Sequence, residues 1–234
     1  MDKGSWMRQG ESPMHGYLCA VYLRQTPPLL KALASQLTWN GPAQVQGVPA
    51  VYLTFDDGPH PEITRGVMQI LSEFNAPATF FCVGENVDRY PEVLDELRSA
   101  GHEIGNHTQR HESGWGTDQK AYLRSYLECQ KRVNSPWFRP PYGRITRAQA
   151  EALQPHTEIV MWDVLSADFD EKNTPESCLD RLLVNTRPGA IVVFHDSPRA
   201  SQRLLPILRP YLSWLKEQGY CCALLPTQTL EKRN

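Results

Sequence analysis

The chain lacks several features that would settle its class at once. It has no excess of either charge. Lys and Arg number 24 against 26 Asp and Glu, leaving a net charge of −2 over 234 residues. No basic stripe marks it for DNA, RNA or an anionic membrane surface. It has no apolar run approaching the eighteen or more residues of a spanning helix, so no membrane span is expected. It has no internal repeat and no low-complexity tract. Its six cysteines (Cys19, Cys82, Cys129, Cys178, Cys221 and Cys222) include no C-x-x-C pair and no framework spacing. Free thiols suit a reducing compartment. The mildly apolar stretch from Met14 to Leu23 is broken by His15, Gly16 and Tyr17, and no small-residue cleavage site follows. It reads as a surface strand or arm, and a cytoplasmic location is the expectation. Cys82 and Cys129 read as small buried hydrophobes. Cys221 and Cys222, in a late strand, should face opposite sides of the sheet.

What is present is an alternation of short apolar strands and amphipathic helices. The residues predict strands at Val51–Phe55, Thr79–Val83, Glu103–Gly105, Trp137–Phe138, Ile159–Trp162, Ile191–Phe194 and Tyr220–Ala223. Between them the spacing predicts helices at Ile63–Phe74, Pro91–Ala100, Gln119–Val133, Thr146–Leu153, Pro175–Val184 and Leu204–Glu217. In the last, Leu204, Leu208, Tyr211 and Leu215 make one apolar face. Apolar strands alternating with helices imply a parallel sheet covered by helices. Residues 1–49, punctuated by Pro27-Pro28, Pro42 and Pro49 with a short helical pattern from Leu29 to Leu37, read as an N-terminal extension. Residues 50–226 read as one domain.

Polar residues choose between an open sheet and a barrel. Asp56-Asp57, Arg139, Asp168 and His195 each follow a different strand at or just past its C-terminal end. In a barrel those ends converge on one mouth, where such folds keep their active sites. An α/β barrel is therefore expected.

Two adjacent carboxylates at a strand end repel unless a cation or a proton-transfer role divides their duties. His107 and His111 are four residues apart, a spacing that lets both imidazoles face one divalent ion. One Asp, two His and an open position make a hydrolytic metal site, with the spare Asp as base. Arg139, stiffened by Pro140-Pro141 and followed by Tyr142-Gly143, offers a fork able to hold a carboxylate. His195 ends an apolar strand and, given a carboxylate partner, suits an acid near neutral pH. His15, His60, His102 and His156 have no such partner, and surface roles are expected of them.

These motifs are Thr54-Phe55-Asp56-Asp57-Gly58-Pro59, then Gly101-His102-Glu103-Ile104-Gly105-Asn106-His107-Thr108-Gln109-Arg110-His111, Phe138-Arg139-Pro140-Pro141-Tyr142-Gly143, Trp162-Asp163-Val164-Leu165-Ser166-Ala167-Asp168 and Ile191-Val192-Val193-Phe194-His195-Asp196. In this order they resemble the polysaccharide deacetylase family, also called the NodB-homology domain or carbohydrate esterase family 4. The resemblance covers roughly residues 50–225. It implies a distorted (β/α) barrel with about seven parallel strands and removal of acetyl groups from sugar polymers. It implies that Asp57, His107 and His111 hold one divalent metal, usually zinc, with Asp56 as the base. It further implies Arg139 orienting that base, the Tyr142 N–H as oxyanion donor, and His195 as the acid tuned by Asp168. Trp162 and Val193 would line an apolar pocket for the acetyl methyl. An acetylated sugar or oligosaccharide, of peptidoglycan or chitooligosaccharide type, is the implied substrate. The chain departs from the family where many members have Asp-x-x-Asp-Trp, carrying Leu165 and Phe169 in place of the first Asp and the Trp. Two other readings stay open: hydrolysis of a C–N bond in a small amide or ureide, and a catalytically dead sugar-binding module.

Overall fold

The computed structural model describes residues 26–226; the arm expected at Met14 to Leu23 lies outside them. In chain order the first elements are α1 (Pro28–Leu33), β1 (Gln44–Val45), β2 (Val48–Asp56), α2 (Ile63–Glu73), β3 (Thr79–Cys82), α3 (Gly84–Arg89), α4 (Pro91–Ser99) and β4 (Glu103–Asn106). Then come α5 (Gln119–Val133), β5 (Trp137–Phe138), a 3-10 turn (Pro141–Gly143), α6 (Arg147–Leu153), β6 (Glu158–Ile159) and β7 (Val164–Leu165). The last are α7 (Pro175–Asn185), β8 (Ile191–His195), α8 (Ser201–Glu217) and β9 (Cys221–Cys222).

Local chemistry sets the helix ends. The Asp118 side chain accepts the Ala121 N–H to start α5, and Asn134 in the left-handed region (φ 44°) stops it. Helices α6 and α7 both open with capping boxes, Thr146 with Gln149 and Thr174 with Ser177. On α8 the predicted face of Leu204, Leu208, Tyr211 and Leu215 is fully buried.

Seven parallel strands run in the order β6-β5-β4-β3-β2-β8-β7, curling into a partial barrel; β1 adds antiparallel and β9 parallel to β2. The expected distorted (β/α) barrel is the fold found. Among the described residues no ladder joins its two ends, β6 and β7. The period of two divides every strand. Val51, Leu53, Phe55, Phe80, Val192 and Phe194 face outward and pack under the helices. Tyr52, Phe81, Trp137, Val160 and Ile191 face inward. By the same alternation Thr54, Asp56, Arg139, Val193 and His195 belong to the inner set, stacked above that lining. Cys221 packs with the inner cluster and Cys222 with the outer one, on opposite faces as alternation requires.

Some short elements differ from expectation. The strand predicted at Ile159–Trp162 pairs regularly only over Glu158–Ile159, and β7 and α3 were not anticipated. Past Ile159 the chain pairs instead with residue Thr38, which bridges Val160 in parallel fashion.

Candidate active site

The ends of β2, β4, β5 and β8 deliver Asp56, Asp57, His107, Arg139 and His195 to one mouth. Asp56 closes β2 and is buried beside Arg139, whose Nη1 donates to Asp56 Oδ1 at 2.7 Å and to Thr54 Oγ1 at 2.7 Å. The same guanidinium donates from Nε to Val160 O (3.2 Å) and from Nη2 to Met161 O (3.0 Å). It lies 4.1 Å over the Phe81 ring. A fully buried cation is tolerable only with such partners, and together they leave Arg139 and the Asp56 oxygen it holds no freedom to turn.

Asp57 leaves the strand with φ 81°. Its Oδ1 lies 3.1 Å from His111 Nε2 and 3.7 Å from His107 Nε2. One donor atom from each of the three falls within 4.8 Å of the others. His107 Nδ1 lies 2.7 Å from the Arg139 carbonyl. That contact needs a proton on Nδ1, which leaves the Nε2 lone pair aimed at Asp57. Burial pulls His107 down to about 4, so the ring is neutral at pH 7, the form that ligates. Burial alone would raise Asp57, but the imidazoles of His111, His195 and His107 outweigh it and hold the carboxyl below the usual range. Asp57 Oδ1 is buried and has no hydrogen-bond partner. A buried carboxylate oxygen set against two imidazole nitrogens, one of them presenting a lone pair, is explained by a cation among them. Tetrahedral zinc with ligands at about 2.0–2.1 Å would space its donors about 3.3 Å apart, close to the separations found. The residues fit the metal.

On the other flank, His195 Nδ1 lies 2.7 Å from Asp168 Oδ1, and the His195 backbone N–H donates to Asp168 Oδ2 at 2.9 Å. Burial lowers the His195 pKa, but Asp168, then Asp57 and Asp56, prevail and lift it to about 9. Parallel pairing sets His195 directly opposite Asp56 across β2 and β8. The mouth thus holds a carboxylate and a protonated imidazole on adjacent strands, with the donor trio beside them.

The backbone is strained around this mouth. Asp57, Thr108, His111, Tyr142 and Ala167 all have positive φ, between 59° and 81°. Each such residue costs on the order of 1–3 kcal/mol, and such conformations concentrate at functional sites. Tyr142 is 61% exposed and sets its ring against His111 at 4.6 Å. Gly143 (φ 65°) is needed where it stands, because a Cβ there would meet the Trp162 ring at 2.5 Å. Trp162 and Val193 both lie on the inner side of the barrel, Val193 one inward position below His195. A cavity of about 440 Å³ adjoins Asp57 and His111, walled by residues including His60, Glu85, Arg89 and Tyr90.

A sequence profile of the family described as "Polysaccharide deacetylase" matches residues 43–157. A peptidoglycan-N-acetylglucosamine deacetylase of Bacillus cereus is 32% identical over 193 residues, 78% of this chain and 70% of that protein. The chain belongs to the polysaccharide deacetylase family. A chitooligosaccharide deacetylase of Sinorhizobium fredii is 32% identical over 168 residues, covering 66% of this chain and 75% of that protein. Among solved structures, a peptidoglycan N-acetylglucosamine deacetylase in complex with a naphthalenyl N-hydroxybenzamide superposes with a TM-score of 0.76. It is 29% identical and covers 82% of this chain and 92% of that one.

Within this polysaccharide deacetylase, the departures from the family pattern acquire a location. Phe169, where many members have Trp, keeps an aromatic edge 4.9 Å from His195. Leu165 is buried on β7 beside Val193, so the missing carboxylate is replaced by packing. All ten residues singled out from the sequence (Asp56, Asp57, His107, His111, Arg139, Tyr142, Trp162, Asp168, Val193 and His195) sit on or just below this mouth. Two neighbours of the mouth, His60 and Asp196, were not singled out. His60, read as a surface residue, lines the cavity, with its Nδ1 buried and unpartnered. His102 also departs from a surface role: its Nδ1 accepts the Ala78 N–H at 3.3 Å. Asp196 is fully buried and receives the Gly58 N–H (3.1 Å) and the Thr64 hydroxyl (2.5 Å). It pins the turn that presents Asp57. The sequence showed only a carboxylate directly after His195 and a glycine directly after Asp57.

Proposed function

We propose that this chain is a metal-dependent hydrolase that removes the acetyl group from an N-acetylated amino sugar in a glycan of peptidoglycan or chitooligosaccharide type. The observation that carries the reading is the Asp57-His107-His111 donor set standing beside the Asp56–Arg139 and His195–Asp168 pairs, which face each other across β2 and β8. Zinc is the ion that two imidazoles and one carboxylate suit best.

A divalent ion held by the three ligands supplies Lewis acidity, acidifying a water and polarising the amide carbonyl. The chain supplies the rest. Asp56, fixed by Arg139, takes a proton from the attacking water as its oxygen bonds to the acetyl carbon. The Tyr142 N–H donates to the oxygen on which negative charge develops. His195, kept protonated by Asp168, gives its proton to the sugar nitrogen as the C–N bond breaks. Acetate and a free amine leave. Val193 and Trp162 form the apolar wall for the acetyl methyl.

The mouth favours a glycan over a small amide. Trp115 is 69% exposed and Tyr142 61%. The Arg144 guanidinium sits between them, 5.3 Å from the Trp115 ring and 5.8 Å from the Tyr142 ring. Exposed rings on an open rim suit stacking against sugar faces, whereas a small amide would be enclosed. The test compares acetate release by zinc-loaded protein from N-acetylglucosamine oligomers, peptidoglycan fragments and small amides. Acetate from a glycan supports the reading; hydrolysis confined to small amides or ureides overturns it.

A further inference from the structure

We propose that the segment from Thr26 to Gly41 is a strap that positions the acyl pocket and the base of this site, with Lys31 as its positioning residue. The inference rests on the reading of Trp162 as the pocket wall and Asp56 as the base.

The strap occupies the seam left between β6 and β7. Thr38 donates its N–H to Ile159 O at 2.9 Å and accepts the Met161 N–H at 2.7 Å. Asn40 bridges Ala190, and Gly41 donates to Gly189 O at 3.0 Å, so the strap reaches the start of β8. The peptide units of 159–161 are therefore held from two directions. The strap pairs with them through Ile159 O and the Met161 N–H. Arg139 takes the Val160 and Met161 carbonyls and passes the constraint to Asp56.

Thr26 holds the next two residues. Its N–H donates to Asp163 O (3.2 Å) and its hydroxyl to Trp162 O (2.7 Å). The Asp163 side chain is fully buried and takes ion pairs from Lys31 and, at 2.6 Å, from Arg187. Lys31 Nζ also donates to Asn40 Oδ1 at 2.7 Å. One ammonium thus ties α1, the far end of the strap and the Trp162-Asp163 peptide together. Of the two cations on Asp163 it is the more enclosed, 15% exposed against 44%. Without Lys31 the buried carboxylate keeps only Arg187, and a buried charge that loses a partner destabilises what holds it. The profile match to the family begins at residue 43, after the strap ends.

The test uses the full zinc-loaded chain with Lys31→Met, Lys31→Arg and the near-isosteric Thr26→Val. Amide hydrogen exchange should show lost protection at residues 159–163 in Lys31→Met, with β2 to β4 and metal stoichiometry unchanged. Release of acetyl and propionyl groups from N-acylated glucosamine oligomers should show the second effect. Discrimination against one extra methylene, normally about 10–200-fold for an apolar pocket, should fall toward unity in Lys31→Met and recover in Lys31→Arg. Unchanged exchange together with unchanged acyl discrimination would overturn the proposal. If Lys31→Met fails to fold, Thr26→Val carries both readouts with the same expected directions. Should wild-type protein release no acyl group, the functional reading fails, and the exchange measurement still decides whether the strap positions 159–163.

Discussion

Arg139 and Asp56 make an ion pair, Nη1 to Oδ1 at 2.7 Å, in which neither side chain is more than 5% exposed. The arginine also satisfies Thr54 Oγ1 and the carbonyls of Val160 and Met161. It is both the orienter of Asp56 and a keystone joining β2, β5 and the stretch after β6.

Removing that keystone should be expensive. Arg139→Met leaves Asp56 buried without its cation and three acceptors unserved, and should lower unfolding free energy by about 3–5 kcal/mol. Arg139→Lys should recover little, because one compact ammonium cannot span acceptors arranged for a planar fork. Denaturant unfolding of the two variants would measure this; a Lys variant as stable as wild type would contradict it.

Asp56→Asn removes the proposed base and keeps the shape. Metal content should match wild type while turnover slows by on the order of 10² to 10⁴ fold. Near-normal turnover would assign proton abstraction elsewhere.

The pH dependence should follow His195. With its pKa raised to about 9 in the metal-free protein, the charged pair with Asp168 stabilises the fold. That contribution is fully present below the unfolded value of about 6.5 and is lost as pH rises through about 9. The melting temperature of chelated wild type should therefore fall between pH 7 and 9, and that of Asp168→Asn should fall less. In the metal-loaded enzyme the added positive charge lowers the imidazole, so the alkaline limb of activity should lie below 9 and move lower still in Asp168→Asn. An alkaline limb indifferent to Asp168 would remove His195 from the acid role.

Asp196 makes a prediction of opposite sign. Burial, then the charges of Asp57 and Asp56, lift its carboxyl to about 7 despite the Thr64 hydroxyl. A raised carboxyl costs stability as pH climbs from the ordinary carboxylate range through about 7. Chelated Asp196→Asn should therefore show a flatter stability curve than wild type between pH 4 and 7. Asp196→Ala, which strands the buried Gly58 N–H and Thr64 hydroxyl, should cost about 1–3 kcal/mol.

Much of the candidate site was legible because two of its motifs follow strands of unmistakable apolar character. Val51–Phe55 and Ile191–Phe194 cannot be solvent-facing, so the charged residues ending them needed a purpose. Helices with a clean period, such as α8, were equally plain. Elements of two residues, such as β7 at Val164–Leu165, carry no period to detect. Helix α3 begins at Gly84 and is mostly polar, so it read as a loop. The strand expected at Ile159–Trp162 was cut short by a tertiary effect, the parallel pairing of Val160 with Thr38, which no local pattern contains. Asp196 and His60 were missed because their importance lies in what packs beside them.

The most direct test of the central claim is acetate release from N-acetylglucosamine oligomers by purified protein, measured after chelation and again after zinc is restored, with His107→Ala alongside. The account predicts no acetate from chelated protein, recovery with about one zinc per chain, and neither tight zinc binding nor acetate from the variant. Activity that survives chelation, or a His107→Ala protein that holds zinc and turns over normally, would contradict it.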